Sequence, residues 1–435
     1  MDILKQRGVK LDQDIAYFDP DTLMEWVGKA PSRFTLHARN PAHDMELGTG
    51  RTHYGSGYGC PAIIEADGSR REALFEDYHA FLKLVHQIDF FHMNGGALVQ
   101  PSDLDPKTCF ARMFEAAIRY SDKCLLGFPG SQDQVQQIMD LAAVVFGGHD
   151  GLKEKPRVIT LVNTTSPLQL DHIALSTLLT CAQYGQPVII SPGPIAGATG
   201  PVTLAGNIAM GNAELLAGIA ISQMIHEGTP VVYGLQATTA DMKTGGISIG
   251  SPGFSLECAW GARLAKMYGL PCRAGGASSD AKGVSVQSGY ESMMAMFITC
   301  QEKVDLALHS AGILDAYGAM SYEQFLVDTE IISMVEYYLN DMTLDDENLA
   351  LDITQGVGPG GQFLASPHTF KHCRTVPWTP GITHRGKLSQ DNAHDQVMAN
   401  IQEKKAALLE QYAAPELDRE VDQALTACLE NILAG

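Results

Sequence analysis

His92 and Asn94, Phe128, Asn163, Tyr233 and Gln236, Asp280 and His309 share one property: each ends or closely follows a short apolar run. Together they hold hydrogen-bond donors and acceptors, two aromatic faces and one carboxylate. Such a mixture binds and orients a small molecule more readily than it passes protons. The stretch "RAGGASSDAKGVSVQSGYES" (273–292) is the densest case, with two glycines, Ser278, Ser279 and Asp280 behind an apolar run. Each residue also has a plain structural reading. Asp280 can cap the next helix or close an Asx turn. His309 can be a satisfied core histidine. Asn94, Asn163 and Gln236 can serve loop backbone, and Phe128 and Tyr233 can simply pack. The set weighs more than any member, because separate runs place such groups at one level.

Other chemistries lack their residues. The G-x-S-x-G spacing occurs only at 246–250, inside the loop 240–253 rather than between a strand and a helix, so no nucleophile elbow is read, and there is no phosphate-binding loop. His368 and His372 in "HTFKH" stand one helical turn apart but lack the Glu of H-E-x-x-H, so a structural role is preferred and no metal is expected. Lysine is scarce in the apolar runs, which leaves Schiff-base chemistry without an obvious residue. None of the nine Cys sits in a C-x-x-C pair, the pattern of reduced thiols in a cytosolic protein rather than a disulfide frame.

The elements that must position these side chains repeat. An apolar run ends in Gly, Pro, Ser, Asn or Thr, and a helical stretch follows. The runs are "FFHMNGG" (90–96), "KCLLGFPG" (123–130), "RVITLVNTTSPL" (157–168), "QPVIISPGP" (186–194), "TPVVYGLQATT" (229–239), "LPCRAGG" (270–276) and "VDLALHSAGIL" (304–314). They are continuous rather than alternating, as in parallel strands buried on both faces. An eighth unit at "RTHYGSGYG" (51–59) completes a (β/α)8 TIM barrel, an α/β fold whose chemistry lies at the C-terminal strand ends. A doubly wound sheet is the alternative, but no G-x-G-x-x-G follows the first strand. The expected division is an N-terminal cap over 1–50, the barrel over 51–320, and a helical C-terminal extension packed on it over 321–435. The loops 193–203 and 240–253 would wall the mouth.

The 435 residues are 45% hydrophobic and 18% charged, as in a large, well-buried globular protein. The net charge of −20 argues against nucleic acid as a partner. No apolar run approaches the roughly 20 residues of a membrane helix, and "MDILKQRGVKLDQD" has no signal-peptide core, so neither membrane nor export is expected.

At the loops the sequence resembles a known family. "GLQATTADMKTGGISIGSPG", "YGLPCRAGGASSDAKGVSVQSGYES", "GPGGQFLASPHTFKHCR" and "FTLHARNPAHDMELG" are similar to the trimethylamine methyltransferase family, over nearly the whole chain. The resemblance implies a barrel that moves a methyl group from a methylated amine to the cobalt of a separate corrinoid protein, with no tightly bound cofactor of its own. Archaeal trimethylamine enzymes carry pyrrolysine, whereas this chain has only standard residues. It therefore resembles the pyrrolysine-free branch, which acts on quaternary amines such as glycine betaine, proline betaine and carnitine. Such a cation would want the aromatic faces of Phe128, Tyr233 or Tyr58 and the charge of Asp280. A substrate carboxylate would want donors from His92, Asn94, Asn163, Gln236, His309 or Gln362. A barrel that binds a betaine or a corrinoid protein without turnover is the second reading, and a homo-oligomer stays open.

Overall fold

The computed structural model describes residues 1–434. Eight short strands run His53–Tyr54 (β1), Met93–Gly95 (β2), Cys124–Leu126 (β3), Val158–Asn163 (β4), Val188–Ser191 (β5), Val231–Tyr233 (β6), 272–273 (β7) and Leu306–Ala307 (β8). Strands β2 to β6 form one parallel sheet in chain order. Parallel bridges Tyr54–Phe91, Tyr233–Cys272 and Arg273–Leu306 extend it on both sides. The pairing of Leu306 with His53 closes the ring. A main crossover helix follows each strand: Phe75–Gln87 (α1), Cys109–Tyr120 (α2), Gln132–Val145 (α3), His172–Gln183 (α4), Leu204–Ile225 (α5), Pro252–Met267 (α6), Val286–Gln301 (α7) and Tyr322–Leu339 (α8), with a short helix, Gly148–Glu154, added between α3 and β4. This is the (β/α)8 barrel that the recurring units predict.

The strand period of two sorts the side chains. Met93, Cys124, Leu126, Ile159, Leu161, Ile189, Val232 and Leu306 fill the barrel interior as one apolar cluster. Leu125, Val158, Val162, Val188, Ile190 and Val231 pack outward against the helices. Both faces are buried, so the runs read as continuous.

The N-terminal end of the barrel is plugged. The hairpin of Phe34–Leu36 with Met45–Leu47 adds Phe34, Leu36, Met45 and Leu47 to the interior cluster. The buried Asp305, just ahead of β8, fastens this base: it accepts from the Gly48 and Gly50 amides (2.9 and 3.2 Å) and from Cys272 N (2.9 Å). At the chain's start, Pro20–Val27, capped by Asp19, packs on α5.

Helix α5 departs from one expectation. It is long and apolar enough to cross a membrane by length and composition. The sequence reading missed it because polar residues interrupt the run. Those residues serve the protein interior: Asn207, Glu214 and Gln223 are buried and hydrogen-bonded to neighbouring loops.

Past the barrel, Ala393–Glu410 (α9) packs on α8 and α1, and Arg419–Ala434 (α10) on α3 and α2. Residues 341–392 between α8 and α9 hold three short helices, Asp346–Leu349, Leu351–Val357 and Pro367–His372, and bury only Ile382.

Candidate active site

Strand β7 sends Cys272 and Ala274 outward and Arg273 into the barrel. Arg273 is only 1% exposed. Its Nη1 donates to Ser191 Oγ (3.1 Å) and its Nη2 to His309 Nδ1 (2.7 Å). Its Nε has no partner, and no Asp or Glu pairs with it among the described residues. Burial pulls the guanidinium pKa down, while the Tyr317 and Tyr58 phenols push it up. A guanidinium keeps its charge regardless. A buried cation without a counter-charge is expensive, so this position calls for an anion.

The groups around Arg273 are neutral. Burial, and then the Arg273 charge, press the His309 pKa well below the usual imidazole value. Its Nδ1 accepts from Arg273, so the proton belongs on the other ring nitrogen. His309 itself is left-handed at φ 69°. At Gly276, φ 118°, an added Cβ would fall 2.4 Å from the His309 carbonyl oxygen, so only glycine lets β7's loop lie against it. The Tyr58 ring meets His309 edge-on at 6.1 Å, and the Tyr317 ring lies 4.9 Å away. Burial pushes both phenols to about 12. Asp315, Ala316 and Tyr317 are all left-handed, a strained turn that folds Tyr317 back over His309. Gln236 Nε2 donates to the Tyr317 hydroxyl (2.8 Å), while Gln236 Oε1 stays buried and unpaired.

The alternation of β4 puts Asn163 on the same inward face as Ile159 and Leu161, one step nearer solvent, opposite Ser191 in register. The walls come from the loops after β5 and β6. Ile195–Ala196, Thr238–Ala240 and Ile247–Ser248 make a three-stranded sheet at the mouth. Beneath it, Asn207 Nδ2 ties the Pro194 carbonyl (3.1 Å) to Glu257 Oε1 (2.8 Å), whose pKa burial raises to about 7.

The structure therefore gathers Tyr58, Asn163, Gln236 and His309 at the mouth and gives the other residues named from sequence other partners. His92 lies ahead of β2, at the plugged end, where its Nδ1 accepts from Tyr54 N (3.4 Å) and burial lowers its pKa to about 3. Phe90 and Phe91 are not part of β2 proper, which shifts the strand past His92. Asn94 points outward and donates to the Leu82 carbonyl of α1 (3.0 Å). Phe128 stacks on Phe110 of α2, and the Tyr233 hydroxyl donates to Asn212 of α5 (2.7 Å). Asp280 spends both oxygens on the mouth loop, accepting from Ser248 Oγ (2.9 Å) and Ile249 N (2.8 Å). Gln362 stands exposed between the short helices of 341–392. Arg273, Tyr317 and Ser191 were not anticipated. The one available signal was a charged residue inside the otherwise apolar run "LPCRAGG".

The rings of His368 and His372 lie 4.5 Å apart, and His372 Nε2 approaches Glu347 Oε1 at 3.1 Å. Among the described residues no group of three or more His, Cys, Asp or Glu is arranged to hold a metal. The mouth offers an anion seat at Arg273 beside two phenol rings, and neither phenol nor His309 is set to exchange a proton at neutral pH.

Comparison with known proteins fits this geometry. A sequence model described as trimethylamine methyltransferase (MTTB) matches residues 1–431. A glycine betaine methyltransferase of Desulfitobacterium hafniense strain Y51 is 38% identical, over 98% of this chain and 89% of that one. A proline betaine:corrinoid methyltransferase of Eubacterium limosum is 28% identical, over 96% and 88%. A trimethylamine methyltransferase of Desulfitobacterium hafniense strain DSM 10664 / DCB-2 is 30% identical, over 86% and 76%. Among solved structures, the monomethylamine methyltransferase of Methanosarcina barkeri superposes with a TM-score of 0.52 at 11% identity, over 100% of this chain and 91% of that one; that likeness concerns the fold.

Proposed function

The chain belongs to the trimethylamine methyltransferase family, and from that premise we propose that it transfers a methyl group from a betaine to the Co(I) of a separate corrinoid protein. The observation that carries the betaine assignment is Arg273, a buried cation with no acid beside it. A simple methylated ammonium would be repelled there. A betaine brings its own carboxylate, which satisfies Arg273 in a charge-assisted pair and leaves the quaternary nitrogen further out. The Tyr58 and Tyr317 rings stand beside Arg273 to face that nitrogen, each cation–π contact contributing about 0.5–2 kcal/mol. Asn163 and the free Gln236 Oε1 line the way out.

The reaction needs little more from the protein. The methyl C–N bond breaks with its electron pair staying on nitrogen, and a Co–C bond forms with the pair from Co(I). The leaving group is a neutral tertiary amine, so no proton is delivered. This agrees with a mouth whose phenols sit near 12 and whose histidine is neutral. Catalysis is then positioning: carboxylate pinned at the floor, one methyl held in line with the open mouth. The corrinoid is read as a co-substrate that arrives on its own protein.

The test is methyl transfer to free cob(I)alamin or a corrinoid protein, followed by absorbance, with glycine betaine, proline betaine, carnitine and trimethylamine. At least one betaine should turn over far faster than trimethylamine, and nothing should react without an added corrinoid. Trimethylamine matching every betaine would overturn the assignment.

A further inference from the structure

We propose that Asp315 is a positioning residue: it holds the turn 315–317 in the form that lays the Tyr317 ring over His309 and beside Arg273. This role rests on the reading of Tyr317 as a face for the substrate nitrogen, and it says what sets that face.

The turn does not owe its shape to the preferences of its own residues. Asp315, Ala316 and Tyr317 take φ of 53°, 50° and 70° in succession. Asp visits the left-handed region because its short polar side chain bonds locally, whereas Ala and Tyr have no such help. Residues held there persist only where their surroundings over-determine them. The hairpin that carries the turn, Ile313–Leu314 with Ala319–Met320, is continued by Ala62–Ile64 and Arg70–Glu72 into one four-stranded sheet.

The surrounding groups converge on Asp315. From the last strand of that sheet, Arg70 Nη1 donates to Asp315 Oδ2 and Nη2 to the Gly318 carbonyl (3.0 Å). From the loop after β7, Lys282 Nζ donates to Asp315 Oδ1. Each carboxylate oxygen thus meets its own cation, and the two cations come from different elements. Burial pushes the Asp315 pKa up, but Lys282 and Arg70 together bring it below the usual carboxylate value, so the carboxylate is ionised at neutral pH. The backbone is held as well. Asp315 N donates to the Ala281 carbonyl (2.9 Å), Ala316 N to the Ser279 carbonyl (3.2 Å) and Gly318 N to the Asp315 carbonyl (2.8 Å). At Gly318 an added Cβ would fall 2.6 Å from Asp315 Oδ2, so glycine leaves the carboxylate its room. Lys282 is 75% exposed and Arg70 50%, and ion pairs so wetted add little to stability. Their effect is to select one conformation of the turn, and with it one place for the Tyr317 ring.

The experiment is a double-mutant cycle in kcat/KM with free cob(I)alamin and whichever methylated amine the wild type turns over fastest. Asp315→Ala should lower kcat/KM about tenfold or more, because a misplacement of one ångström can cost roughly a hundredfold. Its melting temperature should stay within a few degrees of wild type. In a Tyr317→Ala background the same substitution should change kcat/KM less than about twofold, since the ring it positions is gone. An equal loss in both backgrounds, or an unchanged rate in the single variant, would overturn the role. If the alanine variant does not fold, Asp315→Asn, which keeps the left-handed tolerance, carries the same cycle. A readout without substrate separates this role from the betaine reading. With fluorotyrosine at the 14 tyrosines, the fluorine resonance missing from Tyr317→Phe belongs to Tyr317. It should be one narrow line in wild type and should split or broaden in Asp315→Ala. An unchanged line would overturn the role even where betaine turnover holds. Trimethylamine as the best donor would overturn the betaine reading and leave the cycle readable.

Discussion

Arg273 separates a ligand contact from a stabilising one by the sign of its effects. Replacing a buried, uncompensated charge with an apolar side chain of similar size is often neutral or stabilising. Against that stand two lost hydrogen bonds, to Ser191 and His309, each with a net contribution of about 1 kcal/mol. The Arg273→Met protein should therefore melt within a few degrees of wild type. Its KM for the preferred betaine should rise about a hundredfold or more, since a bidentate pair to a carboxylate makes two charge-assisted bonds of roughly 1.5–3 kcal/mol each. Its preference for betaine over trimethylamine should shrink in step, because the charge that repels a bare ammonium is gone. Thermal melts and steady-state kinetics on the same preparation check this. A large fall in melting temperature with an unchanged KM would make Arg273 a structural residue.

Helix α8 fastens the loop that carries Tyr317. Its Asp328 accepts from Gly312 N (2.7 Å) and from Gln324 Nε2 (2.7 Å), and full burial raises its pKa to about 8. A carboxyl whose folded pKa lies above the unfolded value of about 4 holds its proton longer in the native state. Its contribution to stability is complete below about pH 4 and is lost as pH rises through 8. The melting temperature should fall between pH 5 and 8 more steeply in wild type than in Asp328→Asn, which cannot ionise; equal slopes by calorimetry would refute the assignment. This anchor was not readable beforehand. The strand runs were legible because burial on both faces leaves an unbroken apolar signature. The same continuity hides which residues face inward. Met93 and Asn94 look alike as strand positions, and only the ring of neighbours turns the first in and the second out. Tyr317 was invisible for another reason: Asp315, Ala316 and Tyr317 adopt left-handed conformations that turn rules assign to glycine.

Across the whole molecule the two ends of the barrel divide the work. The C-terminal ends carry Arg273 with its unpaired Nε, the unpaired Gln236 Oε1 and the strained turn at 315–317. The N-terminal end is filled by the Phe34–Leu36 and Met45–Leu47 hairpin and knotted by Asp305, which is fully partnered by three amides from the base and from β7. In this fold the first end serves chemistry and the second serves stability. Asp305→Ala tests the division severely, because one of the three donors, Cys272 N, belongs to the residue next to Arg273. Cys272 N is buried and would lose its acceptor at a cost of roughly 1–3 kcal/mol, whereas the Gly48 and Gly50 amides lie in an exposed turn and can turn to water, so the substitution should remove about 1–3 kcal/mol. Losses beyond 4–5 kcal/mol are exceptional, which leaves enough folded protein to assay. The denaturation midpoint should drop clearly, while kcat/KM per folded molecule with free cob(I)alamin stays within about twofold of wild type, under half a kcal/mol on the scale of 1.36 per decade. A fall of kcat/KM with the folded fraction intact would show that the base of β7 sets the position of Arg273. The two ends would then act as one unit rather than two.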